Sequence, residues 1–123
     1  MFKNVDDNLI VLGTKAGSVC ELSKMSDKEV HGYNVEFGAG VRNVSNCFFF
    51  NRLKTGRNTT GEGTALMNEL VKILKASKAS VILQVNPYGS FDLKNLIKFY
   101  KKFGFKLIKQ GKSEALMRFL EVN

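Results

Sequence analysis

The sequence predicts a single α/β domain, spanning residues 1–123, built around a strand–loop–helix–strand unit. Three observations predict it. Two apolar runs, VSNCFFFNRL at 44–53 and SVILQV at 80–85, read as strands buried on both faces. Between them Leu66, Met67, Leu70, Val71, Ile73 and Leu74 recur at helical spacing, with Asn68, Glu69, Lys72 and Lys75 on the opposite side. A glycine-containing stretch, NTTGEGTALM at 58–67, joins the first run to that helix.

The elements follow in order. NLIVLGTKAGSVCEL at 8–22 reads as two short strands around a Gly/Lys turn. SDKE at 26–29 fits a capping box, but Gly32 follows soon after, so the pattern predicts no more than a turn or two of helix. YNVEFGAGV at 33–41 alternates and reads as a strand ending in glycines. The strand at 44–53 comes next, then the glycine loop, then an amphipathic helix over about 63–76. The strand at 80–85 ends at Asn86-Pro87. A second helix starts from Ser90 or Asp92 as N-cap, buries Leu93, Leu96, Ile97, Tyr100 and Phe103, and stops at Gly104. FKLIKQ at 105–110 and ALMRFLEV at 115–122 read as two last strands.

A chain of 123 residues supports one modest core. With 44% apolar and 24% charged residues it is neither disordered nor low-complexity. No apolar stretch approaches a membrane span, and the start lacks the basic region of a secretory signal. Two cysteines, Cys20 and Cys47, make neither a disulfide framework nor a metal-binding spacing, so a reduced, cytoplasmic protein without metal is expected. The net charge of +8 is unevenly spread. Residues 1–50 carry five Lys/Arg against six Asp/Glu, and residues 51–123 fourteen against five, so the excess lies in the half with the glycine loop. That points to an anionic ligand, with solvated lysine-rich helix faces as the plainer account.

The glycine loop departs from two familiar phosphate motifs. Gly56 and Gly61 have P-loop spacing, but Glu62 and Gly63 stand where Lys and Ser/Thr are needed. A dinucleotide fingerprint needs a third glycine where this chain has Leu66. What remains asks less of side chains: a helix N-terminus leaves its first N–H groups unpaired, and the dipole favours an anion there. Amides from Thr60, Gly61, Glu62, Gly63 and Thr64 would then form a nest for a pyrophosphate, Glu62 giving only its N–H while its side chain points to solvent. A tight turn without ligand is the plainer alternative.

With the second helix added, the pattern resembles the GNAT superfamily of acyl-coenzyme-A-dependent N-acyltransferases. NTTGEGTALM resembles that family's Q/R-x-x-G-x-G/A loop, and LIKFYKKFGFKLI at 96–108 resembles the segment with its usual catalytic tyrosine. The match covers roughly residues 44–122. The resemblance implies a mixed, mostly antiparallel sheet splayed open between two strands, with flanking helices. It further implies acetyl-CoA as co-substrate, with pantetheine pairing against Leu53, Lys54 and Thr55 and the pyrophosphate on the loop amides. Tyr100, four residues before Gly104, would protonate the departing thiolate. A tyrosine ordinarily titrates near about pH 10 and so can donate at neutral pH, although a core tyrosine bonded to a carbonyl explains the apolar position as well.

Three departures bear on the site. Asn58, with Arg57 beside it, stands where the family has Gln or Arg. Leu93 occupies the position, seven before the tyrosine, where many members carry Asn, and Asn95 is the nearest amide. The CFFFN run offers no strand carboxylate as a base, which leaves Glu36, on the preceding strand, and His31 as candidates. Cys47 has no evident His partner and reads as core. The family has a strand, two helices and two strands before the segment starting at Val44. Forty-three residues leave one or both helices missing or reduced to a turn around 26–30.

The leading expectation is an N-acetyltransferase moving acetyl from acetyl-CoA to a primary amine, with a protein lysine or N-terminus suited to an open acceptor cleft. A domain this small and lysine-rich also suits a virus or mobile element acting on a host protein. Two other readings stand beside it. One is a basic nucleic-acid-binding module built on Lys94, Lys98, Lys101, Lys102 and Lys106; the other is an inactive, CoA-binding GNAT-like regulator.

Overall fold

A computed structural model describes residues 1–56, 60–87 and 92–121. The chain runs β1 (Phe2–Val5), β2 (Leu9–Gly13), β3 (Val19–Lys24), α1 (Asp27–Phe37), β4 (Cys47–Lys54), α2 (Glu62–Ser77), β5 (Ser80–Val85), α3 (Leu93–Lys101), β6 (Lys106–Gln110) and β7 (Ala115–Phe119). The strands form one seven-stranded sheet in the order β1-β2-β3-β4-β5-β7-β6. Every neighbouring pair is antiparallel except β4–β5. A parallel pair needs a crossover, and α2 supplies it.

Strand alternation divides the core between the two faces. Phe48 and Phe50 of β4 join Ile10, Leu12, Cys20 and Leu22 against Leu66, Leu70 and Leu74 of α2 and Ile97 and Tyr100 of α3. Cys47 and Ile82 face the other way and pack with Met25, Val30, Ala39 and Val41 around α1. The apolar runs at 44–53 and 80–85 therefore serve two cores at once, which is why they lack alternation.

The segment expected to be a strand at 33–41 is helical. Ser26 and Glu29 close the capping box from both sides, and α1 continues through Gly32 to a left-handed Gly38 at φ 66°. One glycine in an exposed helix costs about 1 kcal/mol, which capping and the burial of Val30 offset. The alternation of Tyr33, Val35 and Phe37 is a coincidence of spacing. Val35 is 73% exposed, while Val30, Tyr33 and Phe37 share the inward face at helical spacing. After the helix, the Asn34 side chain both donates to Val41 O and accepts from Val41 N, each at 2.9 Å, and so fixes the turn back towards β4.

β2, β3, α2, β5 and α3 lie where their patterns put them, with Asp92 as the N-cap of α3 and Gly104 at φ 97°. Ser90 and Val122 lie outside the described residues. β1 is a strand that no pattern announces. Among the described residues no helix lies between β1 and β2, and the turn expected around 26–30 is a full three turns of helix between β3 and β4. β1 runs straight into β2 through a turn held by Asp6.

Candidate active site

The site begins where β4 leaves β5. The two strands share three rungs, Cys47↔Ser80, Phe48↔Val81 and Phe49↔Ile82. On the other side of β4 the register jumps, with Leu22 opposite Phe50 but Glu21 opposite Arg52. Asn51 is thus a bulged residue placed just beyond the last shared rung. A bulge bends its strand and increases its twist, and here it turns β4 away from β5. The resulting wedge is bordered by the ends of both strands.

α2 starts at the mouth of that wedge. Gly61 is its N-cap at φ 79°, ψ 0°, with no side-chain cap, and its carbonyl accepts the first helical bond from Ala65 N–H. Helix geometry leaves the amides of Glu62, Gly63 and Thr64 without intrahelical acceptors. Around Gly63, Thr55 Cγ2, Phe99 Cζ and Leu53 Cδ2 stand 3.5, 3.7 and 4.0 Å from where a Cβ would be. The end of β4, the start of α2 and the flank of α3 therefore converge on one glycine. Thr60, Lys54 and Thr55 are exposed beside it, Leu53 is half-buried, and Arg57 and Asn58 lie outside the described residues.

The Glu62 side chain does not point to solvent. Its Oε1 accepts from the hydroxyls of Thr14, at 2.7 Å, and Ser18 in the β2–β3 turn. Ser18 Oγ in turn accepts from Gly56 N–H at 2.8 Å, and Thr14 Oγ1 from Ser18 N–H at 3.2 Å. The Ser18 and then the Thr14 hydroxyl hold the carboxyl below its usual range. No sequence pattern announces this hub, because the bonds that join the β2–β3 turn to Gly56 and Glu62 span 38 to 48 positions.

Tyr100 lies on the α2–α3 face, 8% exposed. Its ring meets Phe50, the first β4 residue past the shared rungs, at 5.7 Å between centroids, and also Phe99 and Phe105 at 5.3 and 5.9 Å. The structure thus brings Tyr100 to the apex of the wedge. Asn95 sits in the first turn of α3, exposed, with its side chain donating to Asp92.

Glu36 belongs to the other face. It is on α1, not on a strand, and lines an open cleft of about 340 Å³ with Tyr33, Phe37, Gln84, Lys109 and Glu114. Gln84 is two residues past the last rung shared with β4 and donates to Glu114 Oε2 at 3.1 Å. The cleft and the wedge therefore share the end of β5. His31 is exposed on α1. A strand carboxylate that the CFFFN run lacks comes from the neighbouring strand: Glu21 Oε2 accepts from the bulged Asn51 at 3.2 Å. Cys20 and Cys47 are buried, and burial raises both thiols to about 12. Among the described residues no group of His, Cys, Asp and Glu is arranged to hold a metal ion, and no helix is long and apolar enough to cross a membrane.

No family model and no curated protein sequence matches the chain. Solved structures do. The anti-CRISPR protein AcrVA5 superposes with a TM-score of 0.60 at 14% identity, over 91% of this chain and 98% of that one. A protein assigned as a GNAT-family acetyltransferase from Bacteroides thetaiotaomicron gives 0.56 at 14%, over 94% and 62%. One assigned as a phosphinothricin N-acetyltransferase gives 0.56 at 15%, over 98% and 75%. The sheet order, the splayed parallel pair and the helix at its mouth, with these likenesses, identify the fold as a short version of the GNAT acetyltransferase fold.

Proposed function

We propose that the protein is an N-acetyltransferase that moves the acetyl group of acetyl-CoA directly to a primary amine. The observation that carries the proposal is the parting of β4 and β5 after Phe49↔Ile82, with the uncapped start of α2 at its mouth. The wedge suits a strand-like pantetheine beside Leu53, Lys54 and Thr55. The pyrophosphate would rest on amides from Thr60, Gly61, Glu62, Gly63 and Thr64, and Arg57, Asn58 and Asn95 are the side chains proposed to help bind the coenzyme.

In the reaction, the amine nitrogen attacks the thioester carbonyl carbon, a C–N bond forms and the C–S bond breaks. Tyr100, at the apex, would give its proton to the leaving thiolate and regain one through water, as the nitrogen that has formed the C–N bond releases its surplus proton to water. An amine such as lysine, which ordinarily titrates near about pH 10.4, must first lose a proton. Glu36 in the cleft on the α1 face would take it, directly or through water, with Glu21 beside the bulge as the second carboxylate. The cleft is open on the acceptor side, which favours a lysine side chain or N-terminus of a protein over a small free amine. The acceptor in this reading is a protein of a host cell, met in the cytoplasm of that host.

The test is a thermal shift with acetyl-CoA on wild type and on Gly61→Arg. Binding to the native state alone stabilises by about 2.7 kcal/mol at a hundredfold excess over Kd. A rise in wild type that the folded variant loses supports the reading, and no rise at millimolar acetyl-CoA ends it. A second reading, nucleic-acid binding, draws on the exposed Lys94, Lys98, Lys101, Lys102 and Lys106. Steep salt dependence of DNA or RNA binding would favour it. CoA binding without turnover would instead favour an inactive regulator.

A further inference from the structure

The hub around Glu62 has a feature that folding alone does not require: it holds an anion at the very position where another anion is expected. A carboxylate at the first position of a helix is normally free to turn inward, towards the unpaired amides and the positive end of the dipole. Glu62 instead spends one oxygen on two hydroxyls of the β2–β3 turn. Each hydroxyl spends its single donor on Glu62 and also accepts, Ser18 from Gly56 N–H and Thr14 from Ser18 N–H. Ser18 is completely buried, so no water competes for it. The same serine thereby grips both flanks of the glycine loop, through Gly56 on one side and Glu62 on the other.

We propose that Thr14 and Ser18 are positioning residues of the coenzyme site, which hold the Glu62 carboxylate on the β2–β3 turn and so keep the first-turn amides of α2 open to a pyrophosphate. The inference rests on the acetyl-CoA reading above. Without the two hydroxyls, the Glu62 carboxylate turns onto its own helix N-terminus and competes with the ligand's phosphates. With them, the carboxylate still adds negative charge near the loop, so its complete removal should favour an anionic ligand.

Titration calorimetry with acetyl-CoA on four proteins tests this: wild type, Thr14→Val/Ser18→Ala, Glu62→Ala, and the triple variant. The double variant is expected to bind about fivefold to tenfold more weakly, the range of a charge at a helix end. Glu62→Ala alone should bind about twofold to threefold more tightly. The triple variant should recover at least the wild-type affinity. A merely structural hub predicts no such recovery, so a triple variant as weak as the double one overturns the proposal. Should the double variant fail to fold, Glu62→Ala decides alone: weaker binding than wild type overturns the proposal, and tighter binding supports it. Wild type that ignores acetyl-CoA overturns the acetyltransferase reading and this inference with it. Wild type that binds, beside a double variant that binds equally well, overturns this inference only.

Discussion

The ring of Phe50 meets the ring of Tyr100 edge to face, 5.7 Å between centroids and 77° between planes, one residue beyond the last rung that β4 shares with β5. Packing alone would be satisfied by phenylalanine at position 100. Tyr100→Phe should therefore fold, keeping its contacts with Phe50, Phe99 and Phe105 and losing about 1 kcal/mol in denaturant unfolding. If Tyr100 is the acid, kcat falls about 100-fold or more with little change in the KM for acetyl-CoA. Unchanged kcat would assign the hydroxyl to the core.

Substitution separates the two carboxylates proposed as the base. Glu36→Gln should lower kcat about 100-fold or more if Glu36 is the base, whereas Glu21→Gln should chiefly disturb Asn51 and the bulge. The reverse outcome would move the base from α1 to β3. Steady-state rates at a single pH on both variants make the distinction.

Gly61 and Gly63 are adjacent in role but not in conformational need. Gly61 lies at φ 79°, and alanine there should cost about 1 kcal/mol of stability. Gly63 has ordinary helical backbone, and a Cβ would make contacts no closer than 3.5 Å. Gly63→Ala should hold or raise the melting temperature, and any loss of CoA binding it shows would come from filling the floor of the site.

Arg118 on β7 ties α1 to the far side of the sheet, its Nη1 donating to Ala39 O at 2.6 Å and Gly38 O at 3.2 Å. Its Nε is buried with no hydrogen-bond partner among the described residues. Arg118→Met removes the donor to two helix-end carbonyls and should cost about 1–3 kcal/mol. Hydrogen exchange should quicken at the end of α1 before anywhere else.

Both thiols, raised to about 12 by burial, should resist a thiol reagent at mildly alkaline pH in the native protein and react after unfolding. The sign for stability follows: above pH 9.0, where an unburied thiol titrates, unfolded thiols ionise while native ones stay protonated. The unfolded state then binds fewer protons, so stability contributed by the buried thiols declines as pH rises from 9.0 towards about 12. Denaturant midpoints on either side of pH 9.0 check the direction against a Cys20→Ala/Cys47→Ala control.

Much of the C-terminal two thirds is legible in the sequence, because each element there has a local cause. Helical spacing marks α2 and α3, an N-cap Asp92 starts α3, and apolar runs mark β4 and β5. α1 is harder to read, because Gly32 and a chance alternation outweigh a capping box whose two bonds both form. The bulge at Asn51 is invisible, since it is a property of the register between β3 and β4 rather than of either strand. The same holds for Thr14, Ser18 and Glu62, and for the cleft where Glu36 meets Gln84 and Glu114. Residues brought together only by pairing leave no trace in spacing.

The three-rung contact between β4 and β5 also has a mechanical meaning. It is the seam of the sheet, the one parallel join between a four-stranded leaf and a three-stranded leaf. Under tension the leaves should part there first, like pages from a lightly glued spine. A molecule lying in the wedge would act as mortar, so acetyl-CoA should raise the rupture force in a single-molecule pull across the seam while leaving a pull along β1 and β2 unchanged.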